Sequence, residues 1–172
     1  ELHHIIVHCQ TASDAQLERM ATIGVYPTLF PHHIYAYGDR HYARFLGPER
    51  AERLDPAGSC VRIGLPFGLH VDTPVFPPAC LGSMHAAVNR LTSSGRLLGA
   101  GQRISVMEAL KAYTVYTARL CGCQKDRGML APGMFADFVA LGENLEQARP
   151  ETLRDIPVLA TVCGGKIVYQ NQ

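Results

Sequence analysis

Nowhere does this chain carry the run of about 18 apolar residues that a membrane-spanning helix needs. Charge of one sign is equally scarce: 16 Lys and Arg stand against 15 Asp and Glu, for a formal net charge of +1, and the cations are scattered along the sequence. Such a distribution gives no electrostatic basis for a nucleic-acid or anionic-membrane partner. The opening residues Glu1-Leu2-His3-His4 lack the charged-then-apolar plan of a signal peptide, so the expected compartment is the cytoplasm. Cys9, Cys60, Cys80, Cys121, Cys123 and Cys163 lack paired spacing, and a chain of this size folds without disulfides, so reduced thiols are expected. Cys121-Gly122-Cys123 alone invites a metal reading, and two thiols one residue apart do not make a zinc site without a second pair. Internal repeats and low-complexity tracts are also missing, which excludes a repeat array or a disordered tail.

What remains is an ordinary globular composition. With 172 residues, 47% hydrophobic and 18% charged, the chain is long enough to bury about 70% of its unfolded surface in one or two cores.

Strand and helix patterns alternate through the first two-thirds, which predicts parallel βα units. Residues 4–8 read as a buried strand. Ser13 with Gln16 makes a capping box, Leu17, Met20, Ala21 and Ile23 carry helical spacing, and Gly24 supplies the stop. Val25–Phe30 is the next strand, with Pro27 tolerable only near an end or an irregularity, followed by a polar-aromatic loop over 31–41. A helical stretch restarts at Pro48 and runs through Leu54, and a third strand is expected from Val61 through Phe67 to Val71. Pro77 and Pro78 open a helix with Leu81, Met84, Ala87, Val88 and Leu91 on one face. Ser105 and Glu108 form a second capping box for a helix to Leu120, stopped at Gly122. Residues 133–141 then read as a strand, and Val158–Cys163 with Lys166–Gln170, joined by Gly164-Gly165, as a β-hairpin.

Two residues stand out chemically. His8 and Asp72 each follow a β-branched run, at the carboxyl end of a predicted parallel strand, where α/β barrels assemble their active sites. Either residue also has a structural reading. A lone histidine at a strand end is commonly a hydrogen-bonded core or surface group, and Asp72 before Thr73-Pro74 suits a turn cap. His32, His41, His70 and His85 read as structural or solvent-facing, Asp39 and Arg40 as a loop ion pair, and Tyr35 and Tyr37 equally as pocket lining or as cover.

The order of Phe30-Pro31-His32-His33-Ile34-Tyr35, Leu46-Gly47-Pro48-Glu49-Arg50-Ala51, Asp72-Thr73-Pro74-Val75, Ala87-Val88-Asn89-Arg90, Gln102-Arg103-Ile104-Ser105 and Gly133-Met134-Phe135-Ala136-Asp137-Phe138 resembles the amidohydrolase superfamily. Within it, the chain is most similar to the carboxyl-terminal portion of amidohydrolase family 3, the branch that includes N-substituted formamide deformylase. The resemblance implies an α/β fold: a partial TIM-type (β/α) barrel made of its last three βα units over residues 1–122, and a small β-sandwich-like module over 123–172. It implies a divalent metal, zinc, held by His8 and Asp72, with Asp72 as the catalytic proton acceptor. His33 is implied as a pocket residue for substrate contact or oxyanion stabilisation, and Tyr35 and Arg40 as substrate-binding neighbours.

The family's first-strand His-x-His, its bridging carboxylate or modified lysine and its fifth-strand histidine have no counterpart here. Catalytic zinc takes three protein ligands, so the site is expected to be incomplete in this chain. Val7 precedes His8 where many relatives carry glutamate, which removes a supporting carboxylate. Three readings follow: part of a metal-dependent amidohydrolase acting on a non-peptide C–N bond of a small amide or formamide, a metal-free short descendant used for binding or assembly, and an unrelated α/β binding module. Three strands cannot close a barrel, so a partner polypeptide, either the missing amino-terminal half or another copy of the chain, is expected.

Overall fold

The computed structural model describes residues 2–171. Its first sheet consists of β1 (Ile5–Val7), β2 (Tyr26–Leu29) and β3 (Gly68–Leu69), in that order and all parallel. Ile5 pairs with Tyr26 and Val7 with Thr28, while Thr28 and Leu29 pair with Gly68 and Leu69, so the carboxyl ends of all three strands form one rim. Pro27 lies one residue inside the start of β2, near an end as its missing N–H requires.

Helix α1 (Asp14–Ile23) connects β1 to β2. Ser13 caps it by accepting the Gln16 N–H, Gln16 accepts the Ser13 N–H in return, and Gly24 closes it in the left-handed conformation at φ +69°. The segment expected as a loop after β2 is instead helix α2 (His32–Arg40). Pro31 supplies a preset first-turn φ of −61°, and Ile34 and Gly38, four residues apart, are buried together, which makes the stretch helical despite its polar aromatics. A π-helical turn (His41–Phe45) leads into α3 (Gly47–Ala51).

The long third strand expected over Val61–Val71 is also corrected. Residues Ala57–Ile63 form α4, ended by Gly64 at φ +74°, and only Gly68–Leu69 is strand. Apolar residues at Ala57, Cys60, Leu65 and Phe67 are buried, and a continuous apolar run of this length reads alike as helix or strand until packing decides it.

Helices α5 (Cys80–Asn89), α6 (Val106–Tyr113) and α7 (Val115–Leu120) follow. The single helix expected to Leu120 breaks at Thr114, where the Thr114 hydroxyl donates to the Leu110 carbonyl at 2.8 Å and the Thr117 hydroxyl to Ala112 at 2.6 Å, competing with the helical ladder. Half of the second capping box forms: Ser105 accepts the Glu108 N–H, but the Glu108 carboxylate takes Lys111 and the Tyr116 hydroxyl instead. Leu17, Met20, Leu29, Phe67, Met84, Val88 and Ala109 fill one core between the parallel sheet and its helices.

A second sheet carries β4 (Phe138–Leu141), β5 (Val158–Cys163) and β6 (Lys166–Gln170), antiparallel in chain order. The expected hairpin at Gly164-Gly165 is present with both glycines at positive φ. The strand expected over 133–141 is confined to its last four residues.

Candidate functional site

Both residues singled out at strand ends sit on the rim of the parallel sheet. His8 follows β1 directly, and Asp72 lies three residues beyond β3. Their side chains meet, His8 Nε2 lying 3.8 Å from Asp72 Oδ2 with both half-exposed. Each occupies left-handed backbone, His8 at φ +63° with Cys9 at +44°, and Asp72 at +53°. Such conformations cost roughly 1–2 kcal/mol for residues with a Cβ and persist where surrounding structure enforces them. Here the turn after β1 closes with the Cys9 N–H on the Val7 carbonyl at 2.9 Å.

Phe30, the residue after β2, lies at the centre of a ring cluster. Its ring stands 4.5 Å from His33, 5.0 Å from His70, 5.5 Å from His8 and 5.6 Å from Phe76. The His8 ring stacks on His33 at 5.8 Å and lies 4.9 Å from His70. His33 is hydrogen-bonded at Nδ1 by the Gln10 side-chain amide. Burial, reinforced by the imidazoles of His41 and His8, pushes the His33 pKa down to about 4, and burial first, then His8, lowers that of His70. Burial thus favours the neutral imidazole at His33 and His70, beside the Asp72 side chain. The buried His8 Nδ1 and His70 Nε2 have no hydrogen-bond partner among the described residues.

The other sequence candidates fall elsewhere. Tyr35 lines a separate cavity of 240 Å³ with His32, Phe76, Gly82, His85 and Arg154, and Arg40 is exposed at the carboxyl end of α2. It is Tyr37 that faces the ring cluster, edge-on to His33 at 5.4 Å. Asp39 pairs with Arg96 at 3.6 Å and bonds Thr92 and Ser94, so the Asp39–Arg40 ion pair is replaced by a clasp on the 92–96 turn.

Sequence reasoning missed the support beneath the rim. Asp55, fully buried, accepts the Phe30 N–H on Oδ1 at 3.0 Å and donates its own N–H to the Gln10 carbonyl at 2.8 Å, tying the loops after β1 and β2 together. Arg90, also fully buried, donates to the carbonyls of Leu54, Asp55 and Leu98 at 2.6, 3.1 and 2.7 Å. Burial raises the Asp55 pKa to about 7 against the opposing pull of Arg90 and the Phe30 N–H. Most of their partners, Gln10 and Phe30 for Asp55 and Leu54 and Asp55 for Arg90, lie far along the chain, so no local pattern announces these bonds.

A zinc ion about 2.0–2.2 Å from an imidazole nitrogen and a carboxylate oxygen in tetrahedral coordination holds those two atoms about 3.3–3.6 Å apart. The 3.8 Å between His8 Nε2 and Asp72 Oδ2 is slightly wider, within reach of one shared cation after a small side-chain adjustment. Among the described residues, no group of three His, Cys, Asp or Glu is placed to hold a metal ion. The pair therefore fits as part of a ligand set.

Fold and site together define an α/β protein with an imidazole–carboxylate site on the carboxyl rim of a parallel sheet. The chain belongs to the Amidohydrolase family, which it matches over residues 2–169. It is 31% identical over 168 residues to Protein LONG AFTER FAR-RED 3 of Arabidopsis thaliana, and 26% identical over 166 residues to N-substituted formamide deformylase of Arthrobacter pascens. Each match covers 95% of this chain but only 28% and 30% of the respective relative, so the chain spans under a third of their length. A metal-dependent hydrolase of Pyrococcus horikoshii OT3 superposes with a TM-score of 0.72 at 25% identity, over 85% of this chain and 30% of that one. An amidohydrolase from Thermotoga maritima MSB8, 17% identical with a TM-score of 0.68 over 97% of this chain and 37% of its own, shares the fold. No helix among the described residues is long and apolar enough to cross a membrane.

Proposed function

We propose that this chain carries the His8–Asp72 part of a metal-dependent amidohydrolase site that hydrolyses a non-peptide C–N bond in a small amide or formamide. The observation that carries the reading is the 3.8 Å approach of His8 Nε2 to Asp72 Oδ2 on the strand rim, in a member of the Amidohydrolase family. The deformylase among its relatives supports the formamide class. His8 and Asp72 would hold a divalent cation, zinc, which when bound supplies an activated water at neutral pH. Asp72 accepts the proton of the attacking water and returns it to the departing amine nitrogen. His33, beside His8, contacts the substrate carbonyl, with Tyr35 and Arg40 as outer contacts that require α2 to approach the bound substrate. In this reading residues 1–122 are the last three βα units of a barrel, residues 123–172 are an appended sandwich-like β module, and the protein acts in the cytoplasm.

Completion of the site falls to the amino-terminal half of the barrel or to another copy of the chain. Ile5, Ile6 and Val7 on the open edge of β1 are exposed apolar residues that a further strand would cover. Hydrolysis of N-formyl and N-acyl amides with added zinc, assayed with the barrel completed, tests the reading: activity lost on Asp72→Asn supports it, while the chain alone is expected to be inactive. The second reading, a metal-free binding or assembly module, is favoured by the two-ligand limit among the described residues. Failure of the completed assembly to retain zinc or to hydrolyse any amide selects that alternative.

A further inference from the structure

We infer that Gln10 fixes His33 as the tautomer protonated on Nε2, so that His33 stands beside the His8–Asp72 pair as a neutral hydrogen-bond donor and not as a metal ligand. The bond runs from the Gln10 side-chain nitrogen to His33 Nδ1. An amide nitrogen has only protons to offer, so Nδ1 must present its lone pair, and a neutral imidazole then carries its single proton on Nε2. Neither ring nitrogen is left with a free lone pair for a cation.

Both partners are held by contacts remote from any ligand. The Gln10 carbonyl accepts the Asp55 N–H at 2.8 Å, which anchors the residue just past the left-handed His8–Cys9 turn. The His33 N–H donates to the Phe30 carbonyl at 3.0 Å, and the His33 ring is fixed by Phe30 at 4.5 Å and by the edge of Tyr37 at 5.4 Å. Asp55 grips the Phe30 N–H as well, so one buried residue sets the spacing of donor and acceptor. Gln10 is therefore a positioning residue acting through His33.

The chemical consequence rests on the hydrolase reading above. A neutral donor beside the site suits the carbonyl oxygen of an amide or formamide, which gains negative charge as water adds. A metal-ligating imidazole would instead need an unprotonated nitrogen facing the cation.

The test is the nitrogen spectrum of the intact protein labelled with 15N-histidine at neutral pH, with the His33 ring assigned by its loss in His33→Asn. Expected is a protonated Nε2 and an unprotonated Nδ1. In Gln10→Glu the carboxylate accepts from Nδ1, and the pattern should invert. In Gln10→Leu the two shifts should move towards an average of both tautomers. A wild-type ring protonated on Nδ1, or a pattern unmoved by both substitutions in folded protein, overturns the inference. Should neither variant fold, the wild-type spectrum alone decides. The expected ring pattern in a completed assembly that hydrolyses no amide would retire the hydrolase reading while leaving the tautomer assignment standing.

Discussion

Asp55 gives the molecule its clearest dependence on pH. Its pKa rises from about 4 in an unfolded chain to about 7 in the fold, so between those values the native state binds the proton more tightly. The stabilisation is fully present below about pH 4 and is lost as pH rises through about 7. Asp55→Asn keeps the acceptor for the Phe30 N–H and removes the buried charge, so its Tm relative to wild type should climb by several degrees between about pH 4.5 and 8. Parallel melting curves for the two proteins across that range would contradict this. Asp72→Asn is the contrasting case. The site is half-exposed and asparagine accepts a φ of +53°, so Tm should move little, whereas amide hydrolysis by the completed assembly should fall by about 10²-fold or more. Steady-state kinetics beside a thermal melt separates the two effects. At this scale the sequence carried His8 because it ends a recognisable strand pattern, and Asp72 because it follows an apolar run of which only Gly68–Leu69 is strand. Gln10, Phe30 and His70 became visible only through ring and amide contacts, and Asp55 and Arg90 through hydrogen bonds spanning 25 and 36 residues.

Between elements, close backbone approach governs. Helix α4 packs on the 100–102 turn through the Ser59 N–H donating to Gln102 Oε1 at 2.8 Å and Gln102 Nε2 donating to Ser59 Oγ at 2.8 Å. A Cβ on Gly58 would lie 2.6 Å from the Gly101 carbonyl oxygen and 2.7 Å from Gln102 Cα. Gly58→Ala should therefore cost about 1–3 kcal/mol by forcing α4 off this turn, measurable by urea denaturation, with an unchanged midpoint as the contrary result. This packing also explains why Val61–Phe67 does not extend as a strand: the chain is committed to α4 until Gly64 turns it. Helix α2 was illegible for a related reason, since its buried Ile34–Gly38 stripe is narrow and its remaining positions are the polar and aromatic residues that loops also favour. Capped α1 and the glycine-linked β5–β6 hairpin, whose signals are local, were read correctly from the sequence.

On the scale of the whole molecule, the exposed edge of β1 is where association is predicted. Ile6 is 45% exposed and Val7 60% exposed, on a strand that among the described residues pairs only with β2. Unpaired apolar edges of this kind recruit further strands. The protein should therefore sediment as a dimer, a larger assembly or a complex with a partner chain, and Ile6→Lys should shift it towards monomer. A monodisperse wild-type monomer in light scattering would refute that expectation. The sequence by itself determined the alternation of βα units, the antiparallel hairpin, the family and the two strand-end residues, because periodicity, caps and turn glycines act over a few neighbouring residues. Only the tertiary structure decided that Tyr37 faces the site while Tyr35 opens elsewhere, that His33 meets Gln10, and that Asp55 and Arg90 underpin the rim. Those arrangements depend on which buried donors find which distant acceptors once the core has closed, and no local pattern encodes that pairing.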